Sequence, residues 1–228
     1  MQKVTIVGTT TWGLTLARML ARKGIAVQML ARTEDEVARM DREYPKHPQL
    51  GEVRFPKMKY TTSAAEALND STAVVLVVPS QSMRQNVRRV APFLNKSMLI
   101  LSASKGIEIE SGCRLSQVIA DEIDPRFRYN ICVLSGPNLY GEILRDLPAV
   151  SVVAGYEESS LTKAQKLLST PGFSVYTNSD IIGVELGGAL KNIIALGAGM
   201  VDGLSYGDNA KSALITRGLT EISALGVA

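Results

Sequence analysis

Seven short apolar runs, rich in β-branched residues, alternate with helical patterns along the first 180 residues. No other feature of the chain restricts its fold as much. KVTIVG (3–8), AVQML (26–30), AVVLVV (73–78), MLILSA (98–103), ICVLS (131–135), AVSVVAG (149–155) and FSVYT (173–177) read as buried strands. Helical patterns fall at 12–23, 34–42, 63–69, 82–94, 111–122 and 159–169. Strands that are apolar throughout and separated by helices predict an α/β fold, a mostly parallel sheet covered on both faces. Residues 42–60, with Pro45, Pro48 and Pro56, read as a loop. Beyond about residue 180 the strands stop, and helix follows, broken near DGLSYGDN (202–209) and resumed to Ala228. Two units are expected, 1–180 and 183–228.

Composition removes several classes of function. Hydrophobic residues make up 46% and charged residues 21% of 228, a globular balance, and the net charge of +3 is too small to imply nucleic acid. Cys113 and Cys132 are two thiols, too few for a disulfide framework, and they suggest a reducing, cytoplasmic setting. With His47 the single histidine, neither a His-based metal site nor a Ser-His-Asp triad is expected. MQKVTIVG enters a strand directly, without the charged and apolar regions of a signal peptide. No run reaches ~18 uninterrupted apolar residues, so no membrane span is expected.

The first strand leads into a glycine loop. VTIVGTTTWGLTLARMLARKG is a strand, a turn and an amphipathic helix, with Gly8 and Gly13 matching the first and third glycines of a dinucleotide fingerprint. Gly8 permits the tight turn, and Gly13 lets helix pack on strand. Thr10 stands where the second glycine belongs, so its bulk is expected to crowd a pyrophosphate, although its hydroxyl and the helix N-terminus could face an anion. The first unit is therefore expected to be a Rossmann-type dinucleotide-binding domain. NAD-selective sites place an acid about 20 residues past the loop, on the ribose 2′-OH. Here Ala31 and Arg32 stand there, and an arginine suits a 2′-phosphate, favouring NADP over NAD. The plainer alternative is a solvated surface arginine.

LGGALKNIIALGAGMV (186–201) holds a single charge, Lys191, and four glycines, each costing a helix about 1 kcal/mol against Ala. Either something approaches this backbone and uses the lysine, or the lysine snorkels out of a core helix. Lys105 lies just past a strand end, where α/β sheets place ligands, or is an ordinary surface lysine.

GTTTWG, VVPSQ (77–81), SASKGIE (102–108), LSGPN (134–138), GVELGGALKNIIALGAG (183–199) and DGLSYGDNAKSALITRGLTE (202–221) together resemble the NAD(P)-dependent sn-glycerol-3-phosphate dehydrogenase family, in order and along essentially the whole chain. The resemblance implies reversible reduction of dihydroxyacetone phosphate, a small phosphorylated substrate, to the sn-glycerol 3-phosphate of phospholipid backbones. It also implies a Rossmann-type first domain, an all-helical second one, and a homodimer. Lys191 becomes the acid/base group at the substrate carbonyl, with burial lowering its pKa toward neutrality, and Asn192 a second contact there. Lys105 is implied to touch both nicotinamide cofactor and substrate, and Gly136 and Asn138 to touch substrate, other members having Ser or Thr at Asn138. Thr11 and Trp12 match cofactor contacts, and Tyr140 stands where a small residue meets the cofactor.

The resemblance further predicts a helical segment after Ala228 carrying an Arg-Asn pair and an Asp of the phosphate site. Without it, Ile193, Ile194, Leu214, Ile215, Leu219 and Ile222 are expected to stay partly uncovered. A catalytically inactive NADP-binding fragment or interaction module is the alternative. Dehydrogenases of the 2-hydroxy-acid and 6-phosphogluconate type share the architecture but match the ALKN and GDNAK motifs less well.

Overall fold

A computed structural model describes residues 2–43 and 58–227. Its sheet runs β3-β2-β1-β4-β5-β6-β7-β8, formed by β1 (Lys3–Val7), β2 (Ala26–Leu30), β3 (Lys59–Thr61), β4 (Ala73–Leu76), β5 (Leu99–Ser102), β6 (Ile131–Ser135), β7 (Ala149–Gly155) and β8 (Phe173–Asn178). All pairs among the described residues are parallel except β6 with β7. Alternate residues of the central strands serve opposite faces. Val75, Leu99 and Leu101 join one core cluster, and Val74, Leu76 and Ile100 the other. That is why these strands are apolar without alternation.

One face is covered by α1 (Thr11–Arg22), α6 (Tyr140–Leu144) and α7 (Glu158–Leu168). The other carries α3 (Ala64–Leu68), α4 (Met83–Val90) and α5 (Leu115–Glu122), while α2 (Glu34–Glu43) follows β2. Two elements escape the sequence pattern. The expected loop at 42–60 ends in β3, a three-residue edge strand pairing Gln28↔Lys59 through Leu30↔Thr61, too short to show a period. Residues 42 and 43 close α2, and His47, Pro45, Pro48 and Pro56 lie outside the described residues. Helix α6 is a five-residue turn, likewise below the length at which periodicity is visible.

Two helices follow the sheet, α8 (Ile181–Gly203) and α9 (Gly207–Val227). Asp180 caps α8 by accepting from the Gly183 N–H at 2.8 Å, and Ile181 packs with Val133 and Ala154. Glu185 fixes the next turn. Its carboxylate, only 8% exposed, accepts from Ser116 N (2.8 Å) and Ser116 Oγ (2.6 Å) at the start of α5 and pairs with Arg114 at 2.5 Å. The two long helices pack through small residues. A Cβ on Gly197 would stand 3.1 Å from Leu214, and one on Gly218 would stand 2.7 Å from Ile194.

Apart from those contacts the pair is open, with Ile193 69% and Leu219 57% exposed, as expected of these side chains. By length and composition alone α8, with mean hydropathy 1.5, would also suffice to cross a membrane, which a count of uninterrupted apolar residues does not register. Here its first turns are instead docked on the sheet.

Removing the Glu185 carboxylate strands a guanidinium and a helix-terminal N–H together. Glu185→Ala is expected to cost about 3 kcal/mol in urea unfolding, and Glu185→Gln markedly less because it keeps an acceptor. Equal losses for the two variants would show that the ion pair contributes nothing beyond shape.

Candidate functional site

The order of the sheet reverses between β1 and β4, and α/β sheets of this kind bind ligands beyond the carboxyl ends of the strands at such a point. A cleft of about 370 Å³ lies there, lined by Thr10, Trp12, Val77, Val78, Pro79, Ser104, Lys105 and Asn138, among others. Gly8 turns the chain at φ +106°, and a Cβ on it would overlap the Val77 carbonyl oxygen. A Cβ on Gly13 would sit 2.7 Å from the Gly8 carbonyl. The loop is thus a bare backbone cradle at the N-terminus of α1, whose first turn has no acidic residue, a setting suited to an anion.

Thr10 departs from expectation. It is the cap of α1, its Oγ1 accepting from the Gly13 N–H at 3.1 Å and donating to the Val77 carbonyl at 3.2 Å. A hydroxyl committed to the helix and to β4 is not offered to a phosphate. Thr11 opens α1 and Trp12 packs partly into the core beside the cleft.

At the end of β2, Ala31 is buried and the Arg32 side chain is 78% exposed. Between them and the loop stands Glu36, which the sequence passes off as one more acid in the first turn of α2. It accepts from Arg32 N–H at 2.8 Å and from the Thr9 hydroxyl. Arg89 of α4 also reaches this corner, donating to the Ala31 carbonyl at 2.8 Å. Nothing in the sequence pattern brings it there, since it is 58 residues away.

The other end of the cleft is cationic. Lys105 is half-buried and donates to the Gly136 carbonyl at 2.7 Å. Asn138 accepts from Ser151 Oγ at 2.5 Å, while its Nδ2 is buried with no partner, a donor left over beside the cleft. Gly188 explains part of the glycine content of α8, because a Cβ on it would overlap Ser135 Oγ and stand 3.8 Å from Lys105 Cγ. That close approach carries the next turn, with Lys191, toward Lys105. Burial first, and the positive charge of Lys191 second, push the Lys105 pKa below the usual lysine range.

One expectation needs correction. Lys191 is exposed rather than buried, and its Nζ donates to Asn192 Oδ1 at 3.0 Å. Past its docked turns α8 has only α9 beside it among the described residues, so no low-dielectric pocket encloses the ammonium. Tyr140, 38% exposed, stands at the start of α6. The structure therefore gathers Gly8, Thr11, Trp12 and Gly13 at one end and Lys105, Gly136, Asn138 and Lys191 at the other, with Arg32 on the rim.

A glycine cradle on a helix N-terminus, at the switch point of a parallel sheet, defines a dinucleotide-binding α/β protein of the dehydrogenase type. The family model for the NAD-dependent glycerol-3-phosphate dehydrogenase N-terminus matches residues 3–161, and that for the C-terminus matches 180–228. The chain belongs to this family. It is 60% identical, over its whole length, to glycerol-3-phosphate dehydrogenase [NAD(P)+] of Dehalococcoides mccartyi, and 41% identical over 99% of its length to that of Shouchella clausii. It spans 64% of the Dehalococcoides protein and 67% of the Shouchella one. Among solved structures, glycerol-3-phosphate dehydrogenase of Coxiella burnetii aligns with a TM-score of 0.86 at 34% identity, covering 98% of this chain and 68% of the other. Octopine dehydrogenase, at 15% identity and a TM-score of 0.59, shares the fold alone.

If the two ammoniums face each other, Lys191→Ala should raise the Lys105 pKa while leaving it below the ordinary value, because burial persists. NMR titration of ¹³C-methylated lysines measures this. An unmoved Lys105 would place Lys191 too far away to share a ligand.

Proposed function

We propose that this chain binds NAD or NADP along the cleft and uses it to interconvert dihydroxyacetone phosphate and sn-glycerol 3-phosphate. The observation that carries the reading is the convergence of two ammoniums, Lys105 and Lys191, and the unpartnered Asn138 Nδ2 at one end of a cleft whose other end is the glycine cradle. Phosphate, hydroxyl and carbonyl oxygens are the groups such donors recognise.

In this reading the Gly8–Gly13 turn and the N-terminus of α1 hold the pyrophosphate, with Thr11 and Trp12 beside it and Arg32 near the adenosine ribose. The nicotinamide, when bound, supplies or accepts the hydride. Lys105 bridges cofactor and substrate, its ammonium already oriented by the Gly136 carbonyl. Asn138 donates to a substrate oxygen, and Ser151 fixes its amide. Lys191 gives a proton to the carbonyl oxygen as charge develops there and takes one back in the reverse direction, with Asn192 holding its Nζ. Residues 1–180 serve the cofactor and 183–228 bring Lys191 to the substrate.

The exposure of Lys191 favours a second reading, a nucleotide-binding module without turnover. An ammonium already solvated by water has less to gain from a developing alkoxide than one in a dry site.

The two readings separate in an absorbance assay at the nicotinamide band. Under the first, oxidation of NADH or NADPH depends on dihydroxyacetone phosphate, and Lys191→Ala lowers kcat by about 10²–10⁴ with cofactor affinity kept. Binding without turnover supports the module. A Lys191→Ala variant with near-normal kcat would move the proton-donor role to Lys105.

A further inference from the structure

The corner between the glycine loop and β2 is held by a carboxylate that the proposed reaction does not use. Glu36 has a side chain only 11% exposed. It accepts hydrogen bonds from Arg32 N–H at 2.8 Å and from the Thr9 hydroxyl. Two guanidiniums flank it, Arg32 Nε at 3.7 Å and Arg39 Nη2 at 3.9 Å. Burial opposes its ionisation, but the two hydrogen bonds and the two cations outweigh burial and hold the carboxyl below its ordinary pKa. It is therefore an anion at neutral pH.

A helix-capping role does not account for this placement. Thr33 caps α2, accepting from Glu36 N–H at 3.2 Å. A reciprocal capping box would send the Glu36 carboxylate back to the Thr33 N–H. Instead it reaches one residue further, to Arg32, and across to Thr9 of the loop. Glu34 and Asp35, in the same turn, already supply negative charge to the helix dipole.

What surrounds Glu36 is a backbone N–H, a hydroxyl and two guanidiniums, the donor set that grips a phosphate monoester. It lies at the end of the second strand, where dinucleotide-binding folds read the adenosine ribose. We infer that Glu36 occupies, as a built-in anion, the subsite of the ribose 2′-phosphate, and so makes the chain discriminate against NADP(H) and for NAD(H). The inference rests on the cofactor reading above and reverses the preference that Arg32 suggests by itself. To enter, a 2′-phosphate must either lie against the carboxylate or push it out of all its bonds. A 2′-hydroxyl meets no such opposition and can donate to the same carboxylate.

The test is Glu36→Gln, which keeps shape and an acceptor for Thr9 and Arg32 but removes the charge. Trp12, the single tryptophan, reports nucleotide binding by its fluorescence, and 2′,5′-ADP against 5′-ADP isolates the adenosine end without any turnover. Wild type is expected to bind NADH more tightly than NADPH. The variant is expected to bind NADPH and 2′,5′-ADP about tenfold or more tighter, with NADH and 5′-ADP changed less than about twofold. Adding Arg39→Ala to Glu36→Gln should reverse part of that gain. A thermal melt near that of wild type confirms that the variant folds. Parallel changes for both nucleotides would reduce Glu36 to a loop clamp and overturn the inference, as would a wild type that already prefers NADPH. Absence of binding by any of the four nucleotides would instead sink the cofactor reading on which the inference stands.

Discussion

The site depends on one buried contact, the seating of the Glu185 carboxylate on the first turn of α5. A carboxylate there meets a backbone N–H, a hydroxyl and the Arg114 guanidinium, so its loss of water is offset by three partners and by the dipole of the helix it caps. The consequence is positional. Glu185 lies one turn before Gly188, and the bare backbone of Gly188 can then rest on Ser135 at the end of β6. One turn further stands Lys191. A long helix with few buried residues is thereby held at a fixed angle to the sheet at the one end that matters, while the rest of α8 and α9 project outward. A charge pair chosen only for stability would have been replaceable by apolar packing. Its value here is the geometry it imposes on the lysine that follows.

The sheet and the glycine loop were legible in the sequence because both are local. Each central strand is a run of four to seven residues with a single environment on both faces, and the loop needs glycines at fixed offsets. Lys105 and Lys191 stood out by position and context, but their roles, like Gly136 and Asn138 themselves, were reached through motif resemblance, which carries identity but not environment. Burial of Lys191 was wrong for that reason: an apolar neighbourhood in sequence says nothing about which element covers it. Glu36 was invisible for the opposite reason. Its sequence context, Glu34-Asp35-Glu36 after Thr33, is an ordinary helix start, and only the fold shows that the third acid turns back to Thr9, 27 residues earlier. Thr10 is intermediate. Its position marked it as a departure from the fingerprint, but whether its hydroxyl faces the ligand or the helix cap depends on a rotamer that sequence does not specify.

Charge along the cleft is graded, and the grading fits a dinucleotide better than the net charge of +3 would suggest. At the proposed adenosine end Arg32 and Arg39 face an internal anion, Glu36, which offsets part of their charge. Beside it, the cradle of Gly8 to Gly13 offers backbone dipoles and no side-chain charge, partial charges fixed in the fold that suit an anion without a counter-ion having to reorganise. At the far end Lys105 lines the cleft with Lys191 near enough to act on its pKa, and no carboxylate lines the cleft among the described residues. Burial first, and the charge of Lys191 second, depress the pKa of Lys105, and an anionic ligand would relieve the second of these. In the proposed function, a phosphate placed between them would stabilise both ammoniums at once. Uncharged polyols gain nothing from the same strain. Under the proposed function, selectivity for a phosphorylated substrate over its dephosphorylated analogue would follow from the two lysines, and selectivity between the two nucleotides from Glu36 at the other side of the glycine loop.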